Sequence, residues 1–256
     1  MSIDKVKQAS AELFTKAAAA PSGHETTPIA ITPAVISLCE SLNAEPPAYV
    51  PVRHDPDGIY GFCNLGVVEK IKADGGTIRF GWNIWEYPGL YLTAEFHAVW
   101  ADPAGTLIDI TPKPDGETQI VFAGDLSYPP DFDFTKRPGS RRSRIYEATS
   151  RTEIARARIA TFTPSQVQYE TGRATKKGMT LEQWVESKVP HDLLPGLIDD
   201  FLRAADESDT LFKPIDPLVM GFGTQCTNPK RAMELGRHRQ QKMTEILRLL
   251  GQQQRS

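Results

Sequence analysis

The chain of 256 residues is long enough for one large domain, or for one domain with a substantial extension. Its hydrophobic content of 40% argues against global disorder, and its formal net charge of −3 argues against attraction of the whole protein to nucleic acid or to acidic membranes. It has no run of about 18 apolar residues, so we expect no membrane span.

Three cysteines, Cys39, Cys63 and Cys226, lie far apart along the chain. Their spacing fits neither a metal site nor a disulfide framework, so we expect no metal, no cofactor and a reducing, cytoplasmic location. The N-terminal stretch carries charges throughout and has no continuous apolar run, which indicates an amphipathic helix and not a signal peptide.

Residues 1–47 are predicted to form an N-terminal helical cap. Good helix formers run from 4 to 20, and the helix is expected to stop at residues 21–23, which read Pro-Ser-Gly. A second helix is expected to begin after Thr32, a fit N-cap residue, with Pro33 at the first helical position.

Residues 48–125 are predicted to form an α+β core. A short helix over 64–74 ends at two glycines, and the following strand, 77–87, has apolar residues at alternate positions, which predicts one buried face. Connections between the later strands are short, which makes neighbouring strands antiparallel. The predicted strands are "AYVPV", "TIRFGWNIWEY", "LYLTAEFHAVWAD", "TLIDITP" and "TQIVFAGD".

Residues 126–256 are predicted to be a mostly helical C-terminal extension. The extension begins with a loop-like segment, "SYPPDFDFTKRPGSRRSR". A capping box, Thr180 to Gln183, marks one helix start. The longest helix is expected to have Pro229 near its start and Gly251 at its end.

Cys63 stands at the start of the helix predicted over 64–74. Free N–H groups and the helix dipole at such a position stabilise a thiolate and can bind an oxyanion. A nucleophilic cysteine also needs a nearby base. Taken alone, a cysteine at a helix start more often has a structural role than a catalytic one.

His97 and Asp109 lie on two successive predicted strands, and alternation places them on the same face. Counting outward from Ala104 in the turn, residue 97 falls opposite 111, and residue 99 falls opposite 109. We therefore expect a register offset or a bulge to bring the two side chains together. A carboxylate that fixes the tautomer of an imidazole is the usual third member of a catalytic triad.

This order, a helix that begins with Cys63, then a strand with "HAVW" and a strand with "DITP", resembles the transglutaminase-like branch of the papain-like cysteine hydrolases. The resemblance covers about residues 57–112. It implies a papain/transglutaminase-like core, a helix with an antiparallel sheet, and a triad of Cys63, His97 and Asp109. Arylamine N-acetyltransferases share the triad, but their Arg-Gly-Gly approach to the cysteine is absent here.

The implied function is a cysteine-dependent hydrolase or acyltransferase that acts on an amide or similar acyl group, such as an amide of a peptide or protein substrate. Water as the acceptor gives a peptidase, amidase or deamidase, and an amine gives a transglutaminase-type transfer. The alternative is a catalytically inactive, transglutaminase-like binding protein. The sequence leaves the choice, the substrate and the oligomeric state open.

The family often surrounds its cysteine with small residues and alanine, whereas the stretch here reads "YGFCNLG", which leaves the oxyanion donors open. The N–H of Cys63 is one candidate, and Tyr60 or the side chain of Asn64 could supply a second. Trp82, Trp85 and Glu95 are substrate-groove candidates, although core packing of the aromatic residues and an exposed strand face explain them as well.

A basic run lies within residues 136–144 of the predicted loop. The net charge is negative and no aromatic residues interleave with these cations, so nucleic-acid binding is not favoured. We expect a solvated or intramolecularly paired segment. The run consists of Lys136, Arg137, Arg141, Arg142 and Arg144.

Overall fold

The computed structural model describes residues 2–20, 25–220 and 223–253, so the predicted helix stop at 21–23 lies outside the described residues. The α+β class is confirmed. The helices are α1 (Ile3–Ala19), α2 (Pro33–Ser41), α3 (Cys63–Asp74), α4 (Arg151–Ala160), α5 (Pro164–Thr175), α6 (Leu181–Glu186), α7 (Leu194–Thr210), α8 (Pro217–Met220) and α9 (Pro229–Gln253). The strands are β1 (Ala48–Pro51), β2 (Thr77–Tyr87), β3 (Tyr91–Ala101), β4 (Leu107–Ile108), β5 (Gln119–Gly124), β6 (Arg141–Arg144), β7 (Phe212–Pro214) and β8 (Thr224–Cys226).

The main sheet has the strand order β1-β5-β2-β3-β4, and β6 pairs with the first residues of β3. The pairings between its strands are antiparallel, as the short connections predict. An isolated bridge between Val52, just after β1, and Asp109, just after β4, joins the two edges of the sheet. The sheet is therefore curled, and one face is turned inward.

The two faces of the sheet carry separate apolar clusters. The inner cluster contains Val50, Val99, Ile120 and Phe122. On the outer face, side chains of β2 and β3 pack against α2 and α3. Residues 80–84 of β2 are consequently buried on both faces, so the expectation of a half-buried strand is wrong for its middle part.

Helix starts follow the sequence closely. The hydroxyl of Thr32 accepts a hydrogen bond from the N–H of Val35, and Pro33 is the first residue of α2, as predicted. The predicted capping box of Thr180 and Gln183 is present at α6, where it satisfies two N–H groups that the helix leaves free. At the other end of the chain, α9 runs past its predicted end at Gly251 to Gln253.

The basic segment predicted as a loop contains a strand. Residues 141–144 form β6, which pairs with β3 and contacts α7. The Arg142 guanidinium lies 2.7 Å from Asp206 and 2.8 Å from Asp209, both on α7. The expected intramolecular pairing is thus present, but in a strand that joins the helical extension to the sheet. In the part of the chain that the structure describes, no helix is long and apolar enough to cross a membrane.

Candidate active site

Cys63 is the first residue of α3, and the N-terminus of this helix is open. Phe62, in the N-cap position, makes no side-chain capping bond. Within the described residues, nothing accepts a hydrogen bond from the backbone N–H of Cys63 or Asn64. Both groups are among the first N–H donors of a helix, which have no partner inside the helix, so they remain available to an anion.

The loop before Cys63 is fixed from two sides. Asp55 forms an ion pair of 2.6 Å with Lys70 on α3, and both side chains are largely buried. Val6 of α1 packs against Ile59 and Phe62, while the hydroxyl of Ser10 donates to the carbonyl of Tyr60. The N-terminal helix and α3 together therefore hold the position of the cysteine.

His97 lies on β3 and faces the interior of the curled sheet. The β3–β4 ladder pairs Trp100 with Ile108 and Ala101 with Leu107, which is the register counted from the turn. The ladder ends there, and Asp109 turns to bridge Val52 on β1. The expectation that the register must shift is wrong, because Asp109 approaches His97 from a diagonal position beyond the last pair.

Asp109 has no solvent exposure, and its carboxylate holds three groups. Oδ1 accepts a hydrogen bond of 2.8 Å from the N–H of Thr111. Oδ2 lies 3.2 Å from Nε2 of His97 and 2.7 Å from Nζ of Lys113. The contact with His97 is an ion pair by distance and is not aligned as a hydrogen bond. Sequence reasoning missed Lys113, whose only signal was its place four residues after Asp109.

The side chain of Cys63 is a second group close enough to His97 to affect the pKa of its ring. Burial alone lowers the pKa of His97, but the negative charge of Asp109 and then that of Cys63 outweigh burial, and the pKa rises to about 10. Burial raises the pKa of Asp109, yet the charges of His97 and Lys113 hold it well below its ordinary value. The opposite directions of these two pKa shifts favour an imidazolium beside a carboxylate.

A cleft of about 510 Å³ opens beside these side chains. Cys63 is only 9% exposed, but it lines the cleft together with His97. Two of the sequence-based groove candidates, Trp85 and Glu95, also line it, as does Tyr60, a candidate oxyanion donor.

Two other candidates lie elsewhere. The side chain of Trp82 is on the outer face of the sheet, where it packs against Phe96 and donates to Asp125. Asn64 lines a separate pocket near Leu13. The structure therefore does not bring Trp82 or the side chain of Asn64 to the cleft.

The cleft wall contains two further residues that sequence reasoning missed. Asn83 is 1% exposed and shares the inner face with His97, since the β2–β3 ladder pairs Asn83 with Glu95 and Gly81 with His97. Arg137 reaches the cleft beside Phe134, and its burial lowers the pKa of its guanidinium. Strand alternation could have placed Asn83 on the face of His97, whereas nothing in the sequence placed Arg137.

Comparisons with protein-family models, with curated proteins and with solved structures found no match for this chain. Among the described residues, no group of His, Cys, Asp and Glu side chains is arranged to hold a metal ion.

Proposed function

We propose that this protein is a cysteine-dependent hydrolase or acyltransferase that acts on an amide or similar acyl group. One observation carries the proposal. Cys63 and His97 line one cleft that a substrate can enter, and His97 at the same time lies 3.2 Å from a fully buried carboxylate, that of Asp109. A nucleophile, a base and a group that orients the base are the parts that covalent catalysis by a thiol needs.

In the first step, the Sγ thiolate of Cys63 attacks the carbonyl carbon of the substrate. The negative charge that develops on the oxygen is stabilised by the free N–H groups at the start of α3, with that of Cys63 as the nearest donor. Because Nε2 of His97 faces Asp109, Nδ1 is the nitrogen that gives its proton to the leaving amine. The C–N bond breaks, and a thioacyl-enzyme forms.

In the second step, His97 takes a proton from the acceptor, which attacks the thioester and releases Cys63 as a thiolate. Water as the acceptor gives a peptidase, amidase or deamidase, and an amine gives a transglutaminase-type transfer. A papain/transglutaminase-like core is part of the same proposal. It is supported by a helix that begins with the cysteine and packs on an antiparallel sheet carrying His97, with Asp109 just after the neighbouring strand.

A binding protein without turnover is the second candidate. Lys113 lies closer to Oδ2 of Asp109, at 2.7 Å, than His97 does, and so competes for the carboxylate that would orient the imidazole. The low exposure of Cys63 also favours a binding protein over an enzyme.

Acylation by p-nitrophenyl acetate distinguishes the two candidates. The enzyme is expected to release p-nitrophenol in a burst, and peptide mass mapping should locate the acetyl group on Cys63. The Cys63→Ala variant should lose the burst, whereas Cys226→Ala, which removes a partly exposed free thiol outside the cleft, should keep it. If Cys63 is acetylated no faster than Cys226, the enzyme proposal is rejected and the binding protein is the remaining candidate.

A further inference from the structure

The cleft has a polar wall whose hydrogen-bonding atoms lack partners. Asn83 is almost completely buried, and neither its Nδ2 nor its Oδ1 atom has a hydrogen-bond partner within the described structure. Oγ1 of Thr111 and Oε2 of Glu117 are also buried atoms without a hydrogen-bond partner among the described residues, and both residues line the same cleft. Buried polar groups in proteins are nearly always paired. Several unpaired polar atoms in one cleft therefore indicate that a polar group of a ligand binds there.

The sheet fixes where this group would lie relative to the reacting bond. Asn83 pairs with Glu95, two pairs further along the ladder than Gly81 and His97. Side chains two residues apart on a strand are separated by about 7 Å. The ligand group therefore belongs next to the amide that Cys63 attacks and is not part of it.

The charge around this position is negative. Burial raises the pKa of Tyr60, and the negative charges of Asp115, Glu95 and Glu117 raise it further, so the three carboxylates are grouped around one phenol. None of the three forms an ion pair with a cation among the described residues. Like charges gathered in a cleft repel one another, and a bound cation relieves that repulsion.

The cations of the cleft neutralise this group only in part. Lys113 is held by Asp109, and Arg142 is held by Asp206 and Asp209. Arg137 is the one cleft cation without an ion pair among the described residues, and its guanidinium lies over the ring of Phe134. The charge of Glu95 acts on this guanidinium, which leaves Asp115 and Glu117 without a neighbouring cation in the described part of the chain.

We propose that Glu95, Glu117 and Asn83 bind a cationic side chain of the substrate, lysine or arginine, beside the amide that Cys63 attacks. The two carboxylates accept hydrogen bonds from the cation, and Oδ1 of Asn83 accepts another, while Nδ2 donates to a carbonyl of the substrate backbone. The indole of Trp85, whose Nε1 donates to Glu95, forms the wall along the alkyl part of the side chain. This assignment of the substrate class rests on the proposed function.

Binding of three peptides to the Cys63→Ala variant tests the assignment without turnover. The probes are acetyl-Gly-Lys-Gly-amide and its norleucine and glutamate counterparts, measured by isothermal titration calorimetry. The lysine peptide is expected to bind roughly 10-fold more tightly than the norleucine peptide, since charge-assisted hydrogen bonds are worth about this factor, and added salt should narrow the difference. No binding of the lysine peptide, or binding of either counterpart that is equally tight, overturns the assignment.

Variants locate the cation. Glu117→Gln should lower the affinity for the lysine peptide several-fold. Glu12→Gln, on the exposed surface of α1, should leave this affinity unchanged. Asn83→Asp keeps the shape of the side chain and adds a negative charge. This variant should still bind the lysine peptide and should bind the glutamate peptide more weakly than the parent protein does. Equal effects of Glu117→Gln and Glu12→Gln would reject the site. Acylation of Cys63 is measured separately, so a failure of catalysis and a failure of cation binding are distinguishable.

Discussion

The Nε2 atom of His97 lies 3.2 Å from Oδ2 of Asp109, although the two residues are not opposite one another in any ladder. Their contact depends on the end of β4 at Ile108, after which the chain crosses to β1 and brings Asp109 back toward β3. The N–H of Thr111, which donates to the other carboxylate oxygen, fixes that turn. A short strand with an abrupt end thus places a charge beside the imidazole.

Replacement of Asp109 by Asn tests the orienting role. Asn keeps an Oδ1 acceptor for the N–H of Thr111, so the local turn should survive, but the charge that holds His97 as an imidazolium is lost. We expect the rate of Cys63 acylation to fall by up to about 10⁴-fold, the scale found when the carboxylate of a triad is replaced in this way. Burst kinetics with p-nitrophenyl acetate measure the rate, and circular dichroism checks the fold. A rate within a few-fold of the wild type would contradict the role.

The pH dependence of stability reports the same ion pair. The pKa of His97 is raised from 6.5 to about 10, so the folded state holds the proton more tightly than the unfolded chain does. This contribution to the unfolding free energy is complete below pH 6.5 and is lost as the pH rises to about 10. Since Asp109→Asn removes the charge that raises the pKa, the difference in unfolding free energy between wild type and variant should shrink over that range.

Urea unfolding at successive pH values measures this difference, and the NMR titration of the His97 ring gives its pKa directly. A difference that is constant from pH 6.5 to pH 10 would show that His97 is neutral in the folded protein.

Alkylation by iodoacetamide tests the environment of the nucleophile. Burial raises the pKa of Cys39 to about 11, and its side chain is almost inaccessible, so it should react slowest. Cys63 lines the cleft together with His97, so we expect it to react faster than Cys39 and faster than the partly exposed Cys226. His97→Gln should slow the reaction of Cys63 and leave that of Cys226 unchanged. Peptide mass mapping over time gives the three rates, and equal rates at Cys63 and Cys226 would contradict the expected thiolate.

The framework of the site could be predicted from the sequence because its signals are local. Two glycines end α3 where they were expected to, and the helix predicted over 64–74 put Cys63 at its start. Alternation along β3 placed His97 and Asp109 on one face, and the register counted from the turn at 103–105 is the observed one, although a shift from it was expected. Each of these features depends on a few neighbouring residues and on the regular geometry of a strand or helix.

The remaining features depend on contacts between distant segments. Lys113 reaches Asp109 through an irregular segment, which no periodicity describes. The segment of β6 has no alternating apolar pattern, and its pairing with β3 is supported by ion pairs to α7, more than 50 residues away. Alternation predicted a buried face that includes Trp82, but the layer that covers this face depends on the positions of α2 and α3 against the sheet. Packing between elements, which local patterns do not encode, decides these cases.

Gly81, the ladder partner of His97, tests how closely the strands must approach at the site. A Cβ atom at this position would lie 2.2 Å from the backbone oxygen of Ala123 and 2.7 Å from Cζ of Phe122. Gly81→Ala therefore forces β2 away from β5. We expect this variant to lower the unfolding free energy by about 1–3 kcal/mol. It should also slow the acylation of Cys63, because His97, the ladder partner of Gly81, is displaced. Gly172→Ala, inside α5 with nothing within 4 Å of the new methyl group, is the matched control and should raise the unfolding free energy by roughly 0.5–1 kcal/mol without changing acylation. Urea unfolding and burst kinetics measure both variants, and similar effects of the two substitutions would show that the close approach at Gly81 does not position the site.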